Sequence, residues 1–318
     1  MTAAGSDVRQ RRRVIRLAVP YTQSPQRLDR VIPALAEELS RSHCRKLIEL
    51  GAVHVNGRRV RKCAASAAGG DGIEIYLDGF PLEPFVISAE NIIFQDRYLL
   101  VIDKPPLVES QPTPARYKGT VYTAALEWLR DPYKPMLRPS LGMVQRLDRD
   151  TSGVMLMSIH QRAHKPLSSV FAAHDVVKRY LALVHGVPEP EGEFRSLLAR
   201  NRATNKMKSV EHGGKEAVTR YRLLHSADEY SLMEVIIPTG RMHQIRVHFA
   251  EAGFPLVGDE RYGNGADGVP RTMLHAAELI IDHPVEKRRC CFVAPLADDF
   301  TAFLTETGFP RHVALSKH

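Results

Sequence analysis

Cysteine is scarce in this 318-residue chain: Cys44, Cys63, Cys290 and Cys291 are the only four, and no C-x-x-C pair occurs. That number and spacing exclude a disulfide framework and a cysteine-built zinc centre, and neighbouring Cys290 and Cys291 would point to opposite faces of a strand. Plain reduced thiols are expected. No run approaches the roughly 18 apolar residues of a membrane span, and the N-terminus carries arginines where a signal sequence would carry an apolar core. A cytoplasmic, non-membrane protein is therefore expected. Phosphate-cradling loops are missing too: Gly214-Lys215 runs into Glu216, and no G-x-G-x-x-G enters a helix after a strand, which disfavours ATP-driven and dinucleotide chemistry. There is no G-x-S-x-G elbow for a serine hydrolase. His160 and His164 have a zinc-compatible spacing but lack the glutamate and third ligand to complete a site, so they read as an exposed helical pair. Neither metal nor cofactor is expected, and the chemistry must come from side chains.

What is present is a soluble globular composition, 44% hydrophobic and 25% charged, in a length that suggests about two domains. The 44 Lys and Arg against 36 Asp and Glu leave +8, which favours a polyanionic partner. The excess is uneven: residues 1–80 hold 14 basic and 8 acidic residues, residues 81–318 hold 30 and 28. Arg9, Arg11, Arg12, Arg13 and Arg16 show no apolar periodicity and read as a mobile basic arm over residues 1–23, or as a solubilising terminus. Leu28, Val31, Ile32, Leu35 and Leu39 then recur at helical spacing. Ser42 is placed to cap a second helix carrying Cys44, Leu47, Ile48 and Leu50, which Gly51 stops. Residues 52–60 read as a hairpin about Asn56-Gly57, and a turn at 69–72 leads into an apolar strand at 73–77. Arg41, Arg45, Lys46, Arg58, Arg59, Arg61 and Lys62 give this unit a basic surface. Beyond a proline- and acid-containing linker, strands are expected at 92–94 and 99–102, just before Asp103-Lys104-Pro105.

Two segments carry a chemical signal. At 144–157, Asp148 lies between Arg146 and Arg149 on a loop before an apolar run that reads as a buried strand. Positive charge there would hold the carboxylate ionised and available as nucleophile or base, while Thr151, Ser152 and Gly153 suit a tight turn. The same residues also suit a surface loop with an Asp–Arg ion pair. At 238–249, Gly240 precedes a helical register in which Met242, Ile245 and Phe249 face a core and Arg246 reaches across. His243 and His248, five apart, share no face and read as packed or capping histidines.

The N-terminal elements, with S-R-S at 40–42, L-I-x-x-G-x-V-x-V-N-G at 47–57 and G-D-x-I at 70–73, resemble the small RNA-binding domain of ribosomal small-subunit protein S-four over about residues 24–78. That resemblance implies that the second helix and hairpin, with Arg45, Lys46, Arg58 and Arg59, contact the phosphates and shape of folded RNA. The two chemical segments together resemble the RluA-like pseudouridine synthases, whose hallmark R-L-D-x-x-T-S-G stands here at 146–153 and G-R-x-H-Q-[IL]-R-V-H at 240–248. Lys178-Arg179-Tyr180, Gly214-Lys215, Ala217, Thr219, Tyr221, the 254–259 stretch ending in Gly258-Asp259, Leu274-His275-Ala276 and His283-Pro284 extend the likeness over about residues 90–300. Two departures bear on specificity: Gln145 stands where that family usually has histidine, and Pro106-Leu107 where it commonly has a small residue and glycine.

The resemblance implies an α+β fold: an arm at 1–23, an RNA-binding domain of two helices and a hairpin at 24–80, a linker at 81–90, and a mixed, largely antiparallel-sheet catalytic domain at 91–310. It implies an isomerase that flips uridines out of structured RNA and converts them to pseudouridine. Ribosomal RNA is the first expectation and transfer RNA the second, with neither metal nor cofactor and with a monomer as the working unit. Asp148 would be the catalytic aspartate, Tyr180 the aromatic residue beside the base and Arg246 the partner of Asp148. Arg146 would sit on the loop that extrudes or replaces the nucleotide, and Arg241, His243 and Lys104 would bind substrate. Two other readings stand beside it: a non-catalytic RNA-binding or ribosome-assembly factor, and a metal-dependent nucleic-acid hydrolase using His160 and His164.

Overall fold

The computed structural model describes residues 12–22, 24–265, 267–310 and 315. They form two compact units, one taking the chain up to Ile87 together with Glu109–Leu129, the other Ser88–Val108 and the chain from Arg130.

The first unit contains β1 (Arg13–Ala18), β2 (Gln26–Arg27), α1 (Leu28–Leu35), α2 (Arg41–Leu50), β3 (Val53–Val55), β4 (Arg58–Val60), β5 (Ser66–Ala67), β6 (Gly72–Leu77) and α3 (Val121–Trp128). Its sheet runs β1-β6-β3-β4, and β2 pairs with β5. The apolar stripes of both helices close on the sheet, so that Leu28, Ile32, Cys44, Leu47 and Ile48 share one core with Val53, Ile73 and Ile75. The turn residues Asn56 and Gly57 take the positive φ values, 50° and 74°, that a two-residue hairpin needs. Fully buried Asp29 accepts from Arg27 at 2.9 Å and Arg41 at 3.1 Å; chiefly the Arg27 hydrogen bond, against the upward push of burial, holds its carboxyl down at about 2.

Three expectations change here. Arg13 and Arg16 do not belong to an arm: β1 pairs with β6 from Arg13 opposite Leu77 to Ala18 opposite Gly72, turning Ile15 and Leu17 to the core and Arg16 toward Glu74 at 3.3 Å. The two-residue alternation was hidden by the arginines around it; Arg9 and Arg11 lie outside the described residues. The cap of α2 is Ser40, whose Oγ accepts from the His43 N–H at 3.2 Å, so the helix starts one residue before Ser42. The 109–129 segment, expected within the catalytic domain, folds with the first unit: Arg116 pairs with Asp78 at 2.9 Å and Arg59 donates to the Thr113 carbonyl.

The second unit contains β7 (Ile92–Gln95), β8 (Leu99–Lys104), β9 (Gly142–Met143), β10 (Ser152–Ser158), α4 (Gln161–Ala172), β11 (Val176–His185), β12 (Glu191–Arg200), β13 (Met207–Val210), β14 (Lys215–Ala227), β15 (Tyr230–Ile236), α5 (Gln244–Glu251), β16 (Leu274–Asp282), β17 (Arg289–Val293) and α6 (Asp298–Glu306). Among the described residues these strands make one eleven-stranded sheet in the order β13-β12-β14-β15-β11-β16-β10-β8-β7, with β17 on β16 and β9 on β10. Only β10 and β16 pair in parallel, at Ser152 opposite His275 and Gly153 opposite Ala276. The fold is thus α+β with a mixed, largely antiparallel sheet. β10 is buried along its whole length, with Val154 and Leu156 packed against Leu167 of α4, Leu279 and Phe292. On another part of the sheet Leu181, Leu183 and Leu232 pack against Phe300, Phe303 and Leu304 of α6. No helix among the described residues is long and apolar enough to cross a membrane.

The parallel junction explains a glycine. Gly153 has φ +109°, and a Cβ there would lie 2.2 Å from the Ala276 carbonyl oxygen, which is backbone and cannot step aside. Gly153→Ala is expected to destabilise the protein by about 3 kcal/mol, read as a lowered midpoint in urea unfolding; an unchanged midpoint would refute this packing.

Candidate active site

Asp148 sits on a short turn just before β10, closed by the Thr151 N–H donating to the Asp148 carbonyl at 3.1 Å. Two buried cations brace that turn through its backbone. Lys104, at the end of β8 and fully buried, donates to the carbonyls of Pro105, Val108 and Arg149 at 2.8, 2.9 and 3.0 Å. Three acceptors use all three ammonium protons, so Lys104 holds the loop and has no proton left for a substrate, correcting the contact expected of it. Arg271 donates to the carbonyls of Asp150 and Leu274 at 3.0 and 3.1 Å and pairs with Asp299 at 2.6 Å. Within the stretch that Lys104 grips, Leu107 has a φ of +64°, which is costly for a leucine.

The charge facing Asp148 comes from α5. Arg246, 6% exposed, sends Nε and Nη2 to the two oxygens of Asp259 at 2.7 and 2.8 Å, and Nη1 to Asp148 Oδ2 at 3.1 Å. Asp259 has no exposed surface and also accepts the N–H groups of Arg261 and Tyr262 at 2.9 and 3.0 Å. Burial pushes its carboxyl up, but Arg246 and these N–H groups overcome that and hold it below the ordinary range. Burial likewise disfavours the charged guanidinium, while Asp259 and then Asp148 raise it. Of the sequence-adjacent arginines, Arg149 pairs with Asp150 at 2.9 Å and Arg146 is exposed on the turn. The guanidinium that meets Asp148 comes from ninety-eight residues along the chain.

Tyr180, in the middle of β11, is 8% exposed, and burial followed by the nearby Asp148 charge pushes its phenol well above the ordinary range. His243 caps α5 in a left-handed conformation, φ 55°, with Nδ1 on the Tyr262 hydroxyl at 2.8 Å and Nε2 3.7 Å from Asp148 Oδ2. Burial lowers its imidazole, with Asp148 opposing. The structure thus brings Asp148, Tyr180, Arg246 and His243 together. Asp148, with its side chain 28% exposed, retains an open side.

Other expected residues lie elsewhere. Arg241 is half-buried and donates from Nε to the Glu216 carbonyl at 2.8 Å. Arg45 and Arg58 are exposed on the first unit, with no ion pair among the described residues, and exposed Lys46 meets Glu83 at 3.3 Å. Arg59 does not fit a free RNA contact: it is half-buried, donates to the Thr113 carbonyl and stacks 5.5 Å from the Tyr117 ring centre. Met242 is 37% exposed, not core, because the helix starts only after His243. His248 is buried between the hydroxyls of Thr219 and Ser196 at 2.8 and 3.0 Å, as a packed histidine should be. Both nitrogens of His164 are taken by Ser140 and Ser158 at 2.7 and 2.6 Å, and His160 caps α4 by accepting from the Arg162 N–H. No shared metal position is left between the pair.

A second trio, Asp96, His283 and Glu286, has ligand atoms within 4.8 Å of one another. His283 Nδ1 already accepts the Val285 and Glu286 N–H groups, which places its proton on Nε2, donating to Asp96 at 3.0 Å. The trio is hydrogen-bonded as a structural histidine, not as a metal ligand.

Residues 98–251 match the RNA pseudouridylate synthase model, and residues 26–64 match the S4 domain. An uncharacterized RNA pseudouridine synthase of Chloroflexus aurantiacus is 37% identical over 297 residues, covering 91% of this chain and 92% of its own. The chain belongs to the RNA pseudouridylate synthase family. Ribosomal large subunit pseudouridine synthase D of Zymomonas mobilis is 34% identical over 294 residues, 86% of this chain and 91% of that protein. The solved structure of human RNA pseudouridylate synthase domain containing 1 superposes with a TM-score of 0.54 at 26% identity, covering 69% of this chain and 89% of its own. As a member of this family the protein is an isomerase acting on RNA.

Asp259, Tyr262 and Arg271 were not singled out from sequence. Asp259 closes the matched 254–259 stretch, which was the one available signal; Tyr262 and Arg271 carried none. The pH response follows from another buried group: Ser152 Oγ meets His275 Nδ1 at 2.9 Å, and burial pushes that imidazole from 6.5 down to about 4. Between those values the unfolded chain binds a proton that the folded chain refuses. Stability should therefore fall as pH drops through that window, by up to ~1.4 kcal/mol per pH unit from this group. His248 and His243, also lowered by burial, act in the same direction. Urea unfolding from about pH 7 to about pH 5 checks it, with His275→Gln expected to flatten the dependence.

Proposed function

We propose that Asp148 is the catalytic carboxylate for uridine isomerisation in structured RNA, ribosomal RNA in the first instance, carried out in the cytoplasm by a monomer. The observation that carries the reading is a half-open aspartate whose guanidinium partner, Arg246, is itself locked by a fully buried second aspartate. Isomerisation breaks the bond from uracil N1 to the ribose C1′, turns the base and rejoins it through C5, after which C5 gives up its proton and N1 holds one. Atoms balance without a co-reactant. The group required is a carboxylate that can support the electron-poor C1′ while the base is loose, and Arg246 aims Asp148 for that task. The face of Tyr180 offers a wall against which the loose base can turn. A paired uridine cannot reach such a site, so the nucleotide must leave its helix; exposed Arg146 on the Asp148 turn is placed to fill the gap. Arg45 and Arg58 supply sequence-independent attraction to RNA phosphates. The ribosomal target is supported by the S4 match and by the name of the Zymomonas relative.

The intact trio of Asp148, Tyr180 and Arg246 speaks against a binding-only factor, and the engaged His164 speaks against a metal-dependent hydrolase. Asp148→Asn is expected to reduce tritium release from uracil C5 of transcribed large-subunit ribosomal RNA by a factor on the order of 1,000 or more, with RNA affinity within about threefold. Turnover retained by the purified variant rejects the assignment. Replacing Arg45 and Arg58 together by alanine should weaken RNA binding and make its salt dependence shallower by about 2 in slope, measured by anisotropy across a potassium chloride series.

A further inference from the structure

Lys178 has no part in the chemistry described above. It precedes Tyr180 by two residues on β11, so both side chains leave the same face of the sheet, about 7 Å apart along the strand. The residue is 9% exposed, yet its ammonium makes one long hydrogen bond, to the Thr239 carbonyl at 3.4 Å, and has no ion pair among the described residues. Lys104, fully buried, has three acceptors within 3.0 Å. A buried ammonium with donors to spare is costly unless an acceptor arrives. Burial first, then the like charge of Arg241, pushes the Lys178 ammonium down to about 8.

Gly240 shows from which side an acceptor could come. It is exposed, and its backbone lies outside the left-handed region, so any L-residue could stand there. A Cβ on it would meet a single atom, Lys178 Nζ, at 3.6 Å. Glycine is not required here for its backbone; its missing side chain leaves a path from solvent to the ammonium.

We infer that Lys178, reached over Gly240 and flanked by Arg241, is a subsite for a backbone phosphate of the RNA strand whose uridine lies against Tyr180. This rests on the function proposed above. A buried ammonium with a second cation acting on it suits an anionic oxygen better than a neutral one.

The test uses the full chain and transcribed large-subunit ribosomal RNA, comparing wild type, Lys178→Met and Gly240→Ala for affinity against potassium chloride, thermal midpoint and single-turnover rate. Lys178→Met and Gly240→Ala should each weaken RNA binding about tenfold, and Lys178→Met should reduce the salt slope by about 1. Gly240→Ala should melt like wild type, since its Cβ makes only an ordinary contact. It therefore decides the matter even if Lys178→Met folds poorly. Wild-type affinity in Gly240→Ala, with a lowered melting point in Lys178→Met, would assign Lys178 to holding the 239–241 loop and overturn the subsite. A slower single turnover in Lys178→Met with an unaltered salt slope would mean a neutral partner such as a uracil carbonyl, and would overturn it too. Retained turnover in Asp148→Asn would instead remove the catalytic reading, and the salt-slope result would still decide the subsite.

Discussion

A guanidinium suspended between two carboxylates governs the geometry of this protein's site. Stripping Arg246 and Asp259 of water costs several kcal/mol each, a cost offset by their two-pronged pairing and by two backbone N–H groups that donate to Asp259 Oδ1. With two of its edges committed, Arg246 has one direction left, and Asp148 lies along it at 3.1 Å. Asp148 is thereby aimed by a cation that cannot relax toward solvent, while its open side keeps lone pairs for chemistry. Gly258, next to Asp259, has φ +74°, and a Cβ built on it would lie 2.0 Å from the Arg271 carbonyl oxygen, so this tight turn admits only glycine.

The turn carrying Asp148 is held through backbone carbonyls. Lys104 and Arg271 spend their protons on main-chain oxygens from either side, so the turn is fixed without adding a charge that would compete for the aspartate. Lys178 differs in this respect: it is largely buried but has one long hydrogen bond where Lys104 has three short ones, an asymmetry that a low-dielectric setting makes costly.

Some features were readable one residue at a time. Apolar periodicity located α1, α2, β8 and β10, and Asn56-Gly57 marked its hairpin, because these depend on neighbours within a few positions. The same short-range logic misplaced the cap of α2 by two residues and overlooked β1, where arginines on the solvent face obscured the apolar alternation of Ile15 and Leu17. Lys104 and Arg59 were expected at substrate by resemblance, and nothing in their local sequence reveals the carbonyls that they meet in the fold.

From the order of residues alone came the two-part architecture, the family, and Asp148, Tyr180 and Arg246 as a set worth joining, because motif spacing and the period of apolar side chains are properties of the chain itself. Folding in three dimensions decided that Asp259 and Tyr262 stand behind Arg246, that residues 109–129 complete the first unit, and that one buried lysine has three acceptors while another has one. Those outcomes turn on burial and on partners tens to a hundred positions away, and desolvation has no sequence-local signature: a charge is costly or cheap only once its surroundings have closed around it.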